Sequence, residues 1–116
     1  MKHPLLLACA LFAAGPALAQ NAAPPPGDAK HGEMLFMADG CYQCHGTVAQ
    51  GSRGTGPRLA PNTIPYEAFA AQLRTPRDIM PPYTTVVLTD SQLADVYAYV
   101  KSLPGPAKAS DVTILH

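Results

Sequence analysis

The chain has 116 residues, 47% of them hydrophobic and 14% charged, with eight Lys and Arg set against eight Asp and Glu for a formal net charge of zero. That is enough for one small domain. No basic run is present, which excludes a surface built for nucleic acid or an anionic membrane, and a near-neutral surface points to weak, transient docking with little salt dependence.

Residues 1–19 read as a cleaved secretory signal peptide. Lys2 and His3 give a short basic start, an apolar run covers 5–14, and Ala17-Leu18-Ala19 supplies the small-x-small cleavage pattern. The apolar run is too short to span a bilayer, so no stable membrane insertion is expected. Leu6-Leu7-Ala8-Cys9 has the outline of a lipoprotein box, but Cys9 comes too early and reads as a small apolar residue of the discarded signal. Removing the signal leaves Cys41 and Cys44 as the only cysteines, an economical pair for an oxidising space if both are consumed. The expected location is the periplasm.

Residues 20–27, with prolines at 24, 25 and 26, should form an extended Pro-rich linker. A domain then covers 28–104. Asp28 is placed to cap a helix running to about Gly40, with Met34, Leu35 and Ala38 as its apolar stripe and Phe36 and Met37 widening it. The segment 46–61 carries Gly46, Gly51, Gly54, Gly56, Pro57 and Pro61, and reads as a loop folded over something bulky.

A second helix is expected over 65–74, started by Pro65 and Glu67 and burying Phe69 with Leu73. Pro76, Pro81 and Pro82 make 75–88 irregular. Thr89-Asp90-Ser91-Gln92 fits a capping box for a last helix, which buries Leu93, Val96, Tyr97 and Val100 and ends at Pro104. Residues 105–116 form a tail in which Val112, Ile114 and Leu115 are apolar enough to pack back onto the body. No strand pattern and no repeat is visible, so the fold class is all-α.

The chemistry concentrates in Cys41-Tyr42-Gln43-Cys44-His45. Thiols three positions apart share one face of a helical turn, where each can add to one vinyl group of a single porphyrin. The imidazole that follows at once is the remaining part of a c-type haem attachment signature. A thioredoxin-like redox couple would want a preceding strand and a βαβ context. Structural zinc would want four ligands, and no second Cys or His pair follows. A plain disulfide accounts for the thiols but not for His45. Haem attachment is favoured because it alone uses all three residues, and bacteria attach such haem outside the cytoplasmic membrane.

The second axial ligand of the iron then has five candidates. Met34 and Met37 stand on the helix leading into Cys41, too near to reach the opposite face, and read as helix core. His31 reads as an exposed first-turn residue, and His116 as a frayed end. Met80 lies in a proline-stiffened loop, with Pro81 and Pro82 directly behind it to restrict the chain. Met80 is the expected ligand; its alternative is an ordinary apolar residue.

Taken in order, several stretches resemble the class I c-type cytochromes: Gly32 with Phe36, Cys41-Tyr42-Gln43-Cys44-His45, Thr55-Gly56-Pro57-Arg58-Leu59, the loop around Met80, and Ala98-Tyr99-Val100-Lys101. The resemblance implies three main helices and loops wrapped around one covalently bound haem c, with Cys41 and Cys44 as attachment points and His45 and Met80 on the iron. It implies that Gly32 permits a close crossing of the first and last helices, with Phe36 and Tyr99 packed beside it. Pro57 would offer its carbonyl to the His45 Nδ1–H. The chain lacks a tryptophan for a haem propionate, which leaves Arg53, Arg58 or Tyr66 for that task, and it lacks the lysine ring of the mitochondrial protein.

The function so implied is that of a periplasmic single-electron carrier, not an enzyme. A periplasmic dehydrogenase or reductase would be its donor and an oxidase or another cytochrome its acceptor. Tyr42, Gln43 and the prolines after Met80 would form the docking rim of a small encounter surface. The alternatives are a cytochrome subunit of a periplasmic dehydrogenase complex, with the tail as anchor, and a haem protein whose open sixth site binds a small ligand. Three short helices bury little, so the macrocycle is expected to complete the core.

Overall fold

A computed structural model describes residues 23–115. The expected signal segment with its cleavage site and Cys9, the start of the linker, and His116 lie outside the described residues.

Four helices carry the domain. They are α1 (Ala29–Ala38), α2 (Cys41–His45), α3 (Tyr66–Arg74) and α4 (Asp90–Ser102), with two 3₁₀ turns at Ala109–Asp111 and Thr113–Leu115. Among the described residues there is no strand, only an isolated antiparallel bridge between Ser52 and Gly56. The chain is all-α.

Each helix starts for a local reason. Asp28 accepts hydrogen bonds from the amides of Lys30 and His31, satisfying two of the free donors at the start of α1. At α4 the full capping box is present: Thr89 accepts from the Gln92 amide, and the Gln92 side chain accepts from the Thr89 amide. Pro65 stands just before α3, where its missing N–H costs nothing. The Cys41–His45 segment forms its own one-turn helix, separated from α1 because Gly40 adopts a left-handed φ of 77°.

The body is organised by the crossing of α1 and α4. Gly32 sits at the contact, and a Cβ placed there would lie 1.9 Å from the Asp95 carbonyl oxygen. Only glycine lets the two backbones approach so closely. Phe36, one turn on, meets Tyr99 edge-to-face with ring centroids 5.4 Å apart. Phe69 and Tyr66 of α3 meet Tyr97 in the same manner, each at 5.2 Å. The crossing is also latched polarly, since Asp95 accepts from the Asp28 amide at 2.7 Å and its other oxygen lies 2.8 Å from His31 Nδ1. Burial works against the Asp95 charge, but the hydrogen bonds from Asp28 and His31 prevail and hold its carboxyl below the ordinary value. Gly32→Ala should therefore cost about 3 kcal/mol by overpacking, a fall in Tm of roughly 10 °C or more. Thermal unfolding checks this, and an unchanged Tm would show that the helices can part freely.

The buried face of α1 differs from the expected stripe. Gly32 and Phe36 are buried, Leu35 is half-buried, and Met34, Met37 and Ala38 are exposed, Met34 by 58%. Hydrophobic spacing selected the bulky residues, whereas the crossing demands the smallest one and turns the helix accordingly. The helix-core reading of Met34 and Met37 is thus corrected, and His31 is paired with Asp95 rather than free. In the tail, Ile114 is 89% exposed and Val112 half-buried, so Ile114 does not pack back.

Candidate functional site

A cavity of about 710 Å³ opens between α2, α3 and the loops on either side of α3, within the usual range for small-molecule and cofactor pockets. Its walls are mainly apolar. Phe36, Phe69, Leu73 and Val96 come from the core, and Ile64 and Ile79 from the rim, where they are 48% and 83% exposed. Cys41, Cys44, His45 and Met80 all line this one cavity.

His45 is 8% exposed and rigidly held. Its Nδ1 lies 2.8 Å from the Pro57 carbonyl oxygen. An Nδ1–H donated there leaves the Nε2 lone pair free for a metal or proton. The loop geometry that delivers Pro57 depends on close approach at Gly56, where a Cβ would fall 2.8 Å from the Cys44 carbonyl oxygen and 3.1 Å from His45 Nδ1. The loop is fastened to α2 by the Gly51 amide on His45 O at 2.7 Å and the Thr55 hydroxyl on Cys44 O at 3.1 Å.

Cys41 is partly buried and Cys44 exposed, and both are free thiols. Burial pushes the Cys41 thiol up, with the neighbouring Asp39 adding to the rise and the Tyr83 hydroxyl working against it. A raised thiol is the wrong direction for a redox-active thiolate, and no βαβ unit surrounds it. Among the described residues no group of three or more His, Cys, Asp or Glu side chains is placed to hold a metal ion.

The loop that carries Met80 is fastened to its surroundings by hydrogen bonds. The Arg74 guanidinium donates to the carbonyls of Tyr83 and Leu88, both at 2.7 Å, and pairs with Asp90 at 2.6 Å. The Tyr83 amide returns to Leu73 O at 2.8 Å, and its hydroxyl donates to Asp39 O at 3.0 Å. The loop is thereby tied to α3, α4 and the end of α1. Burial, reinforced by Cys41, raises the Tyr83 hydroxyl, so it stays a donor. Asp39, also on the cavity wall, carries a buried Oδ2 with no hydrogen-bond partner, and burial raises its carboxyl.

The other expected site residues divide. Phe36 and Arg58 line the cavity. Tyr99 supports it from behind through Phe36 and donates its hydroxyl to Thr47 O at 2.9 Å. Tyr66 is not among the lining residues; its ring is taken up by Tyr97. Arg53 lines not the cavity but an adjoining shallow groove of the 50–58 loop, which shares Arg58 with it. Arg77, Asn62 and Thr63 do line the cavity and were not expected. Nothing in their spacing marked them out, because they reach the site only through the path of two loops.

Residues 27–100 match the family described as Cytochrome C oxidase, cbb3-type, subunit III. No curated protein and no solved structure matches the chain.

Proposed function

Because the chain belongs to that family of c-type cytochrome domains, and haem-based electron transfer is the chemistry such a domain serves, we propose that it is a periplasmic single-electron carrier with one covalent haem c and His/Met axial ligation. The observation that carries the proposal is the convergence of Cys41, Cys44, His45 and Met80 on one mainly apolar cavity.

The residues fit the group. Two thiols three apart, an imidazole with Nδ1 already engaged, and a soft thioether form a donor set suited to a low-spin haem iron. When bound, the haem supplies one-electron exchange between ferric and ferrous iron. Cys41 and Cys44 would fasten the ring through thioether bonds. Pro57 holds the His45 tautomer and raises the basicity of Nε2. Met80 would fill the remaining axial position, and its soft sulfur together with the apolar walls would favour the ferrous state and hold the potential high. Arg58 and Arg77, both exposed on the cavity wall, are the cations available to the propionates. Among the described residues no helix is long and apolar enough to cross a membrane, and the signal-like start of the chain supports export.

An equilibrium redox titration should fit a single one-electron step, and the reduced protein should bind carbon monoxide only slowly, because Met80 must leave first. Rapid carbon monoxide binding would instead support an open sixth site. The family's description names an oxidase subunit, which favours a second reading, a cytochrome domain held in a larger redox complex. Co-purification of a larger redox subunit under native conditions would support it.

A further inference from the structure

Met80 does not reach the cavity wall alone. Gln72 of α3 also lines the cavity, and its Nε2 lies 3.8 Å from the Met80 Sδ. Both side chains are partly buried. Their meeting is set by scaffold on both sides. Phe69 and Leu73 anchor α3 in the core, and the Arg74 and Tyr83 hydrogen bonds tie the Met80 loop back to that same helix. The amide therefore faces the sulfur as a fixed pair.

We propose that Gln72 is a positioning residue for the sulfur ligand. Its side-chain amide donates an N–H to one lone pair of the Met80 thioether and leaves the other for the iron. The inference rests on the reading of Met80 as axial ligand. A thioether is a weak acceptor with lone pairs to spare, so the contact orients the group more than it binds it. It also draws electron density from the sulfur. Ferric iron depends on that density more than ferrous iron does, so the hydrogen bond keeps the potential up. Among the described residues, the Gln72 amide is the polar contact found at this sulfur.

The test uses the holoprotein with Gln72→Leu and Met80→Ala prepared in parallel, read by absorption spectra, equilibrium potential and far-ultraviolet circular dichroism. In Gln72→Leu the far-red sulfur-to-iron band should remain. The ferric-to-ferrous equilibrium should shift about threefold toward ferric, the scale of one modest net hydrogen bond. Loss of the band in Gln72→Leu with unchanged helicity would support the orienting role in a stronger form. In the ferrous wild type, the Gln72 side-chain amide protons should exchange slowly by NMR and move when Met80 is replaced. A Gln72→Leu protein with the band intact and the wild-type potential overturns the inference while Met80 ligation stands. Amide protons that exchange at solvent rates overturn it as well. A Met80→Ala protein that keeps the band removes the reading beneath it.

Discussion

Replacing Met80 by alanine should abolish the far-red sulfur-to-iron charge-transfer band of the oxidised protein and open the reduced protein to rapid carbon monoxide binding. The expected fall in potential is on the order of 0.1 V, a fraction of the about 0.8 V that axial ligation spans. The loop should survive the change. Its fastening runs through Arg74 and Tyr83, whose hydrogen bonds to the backbone do not involve the thioether. The variant therefore removes one donor atom from a site that otherwise stays built. Fold loss would confuse such a test, and circular dichroism of the variant guards against it. An unchanged spectrum would take Met80 out of the mechanism.

The second large effect concerns folding. Chain carrying no haem, made in a host without the attachment machinery or as a Cys41→Ala/Cys44→Ala double variant, should be largely unfolded. The buried residues lie mainly along α4 and the faces of α1 and α3 turned toward it, and a cavity of about 710 Å³ takes the middle of the domain. At roughly 24 cal/mol per Å³, an enclosed void of that size would cost about 17 kcal/mol, part of which water entering the open mouth takes back. That is as much as the whole stability margin of a small domain. Far-ultraviolet circular dichroism decides the matter, and native-like helicity in the haem-free chain would contradict it.

Much of this was legible in the amino-acid sequence because it depends on local rules. The capping box at Thr89, the Asp28 cap and the proline stops are short-range features, and helices appear where they point. The one-turn helix of the attachment motif is equally local. What escaped sequence reasoning depends on distant chain segments. The burial of α1 is decided by α4: the resemblance pointed to Gly32 at the crossing, but hydrophobic spacing by itself selected Met34, Met37 and Ala38, which are exposed. The Arg74 fastening joins residues whose partners are backbone carbonyls, which carry no sequence signature. Nothing in the sequence marked Gln72 or Asp39, and only the fold brings them to the cavity wall. Tyr66 shows the converse. A plausible hydrogen-bonding tyrosine near the site is drawn into aromatic packing with Tyr97 instead.

The pairing of Asp95 with His31 and the Asp28 amide belongs to the same class. It latches the α1–α4 crossing, and the sequence shows only a histidine and an acid far apart.

The most direct measurement is the intact mass of the protein matured in a host able to attach c-type haem. The account predicts a single species: the processed polypeptide beginning at Gln20 plus one haem, resistant to acid-acetone extraction. Bare polypeptide, or haem that washes out, would contradict it.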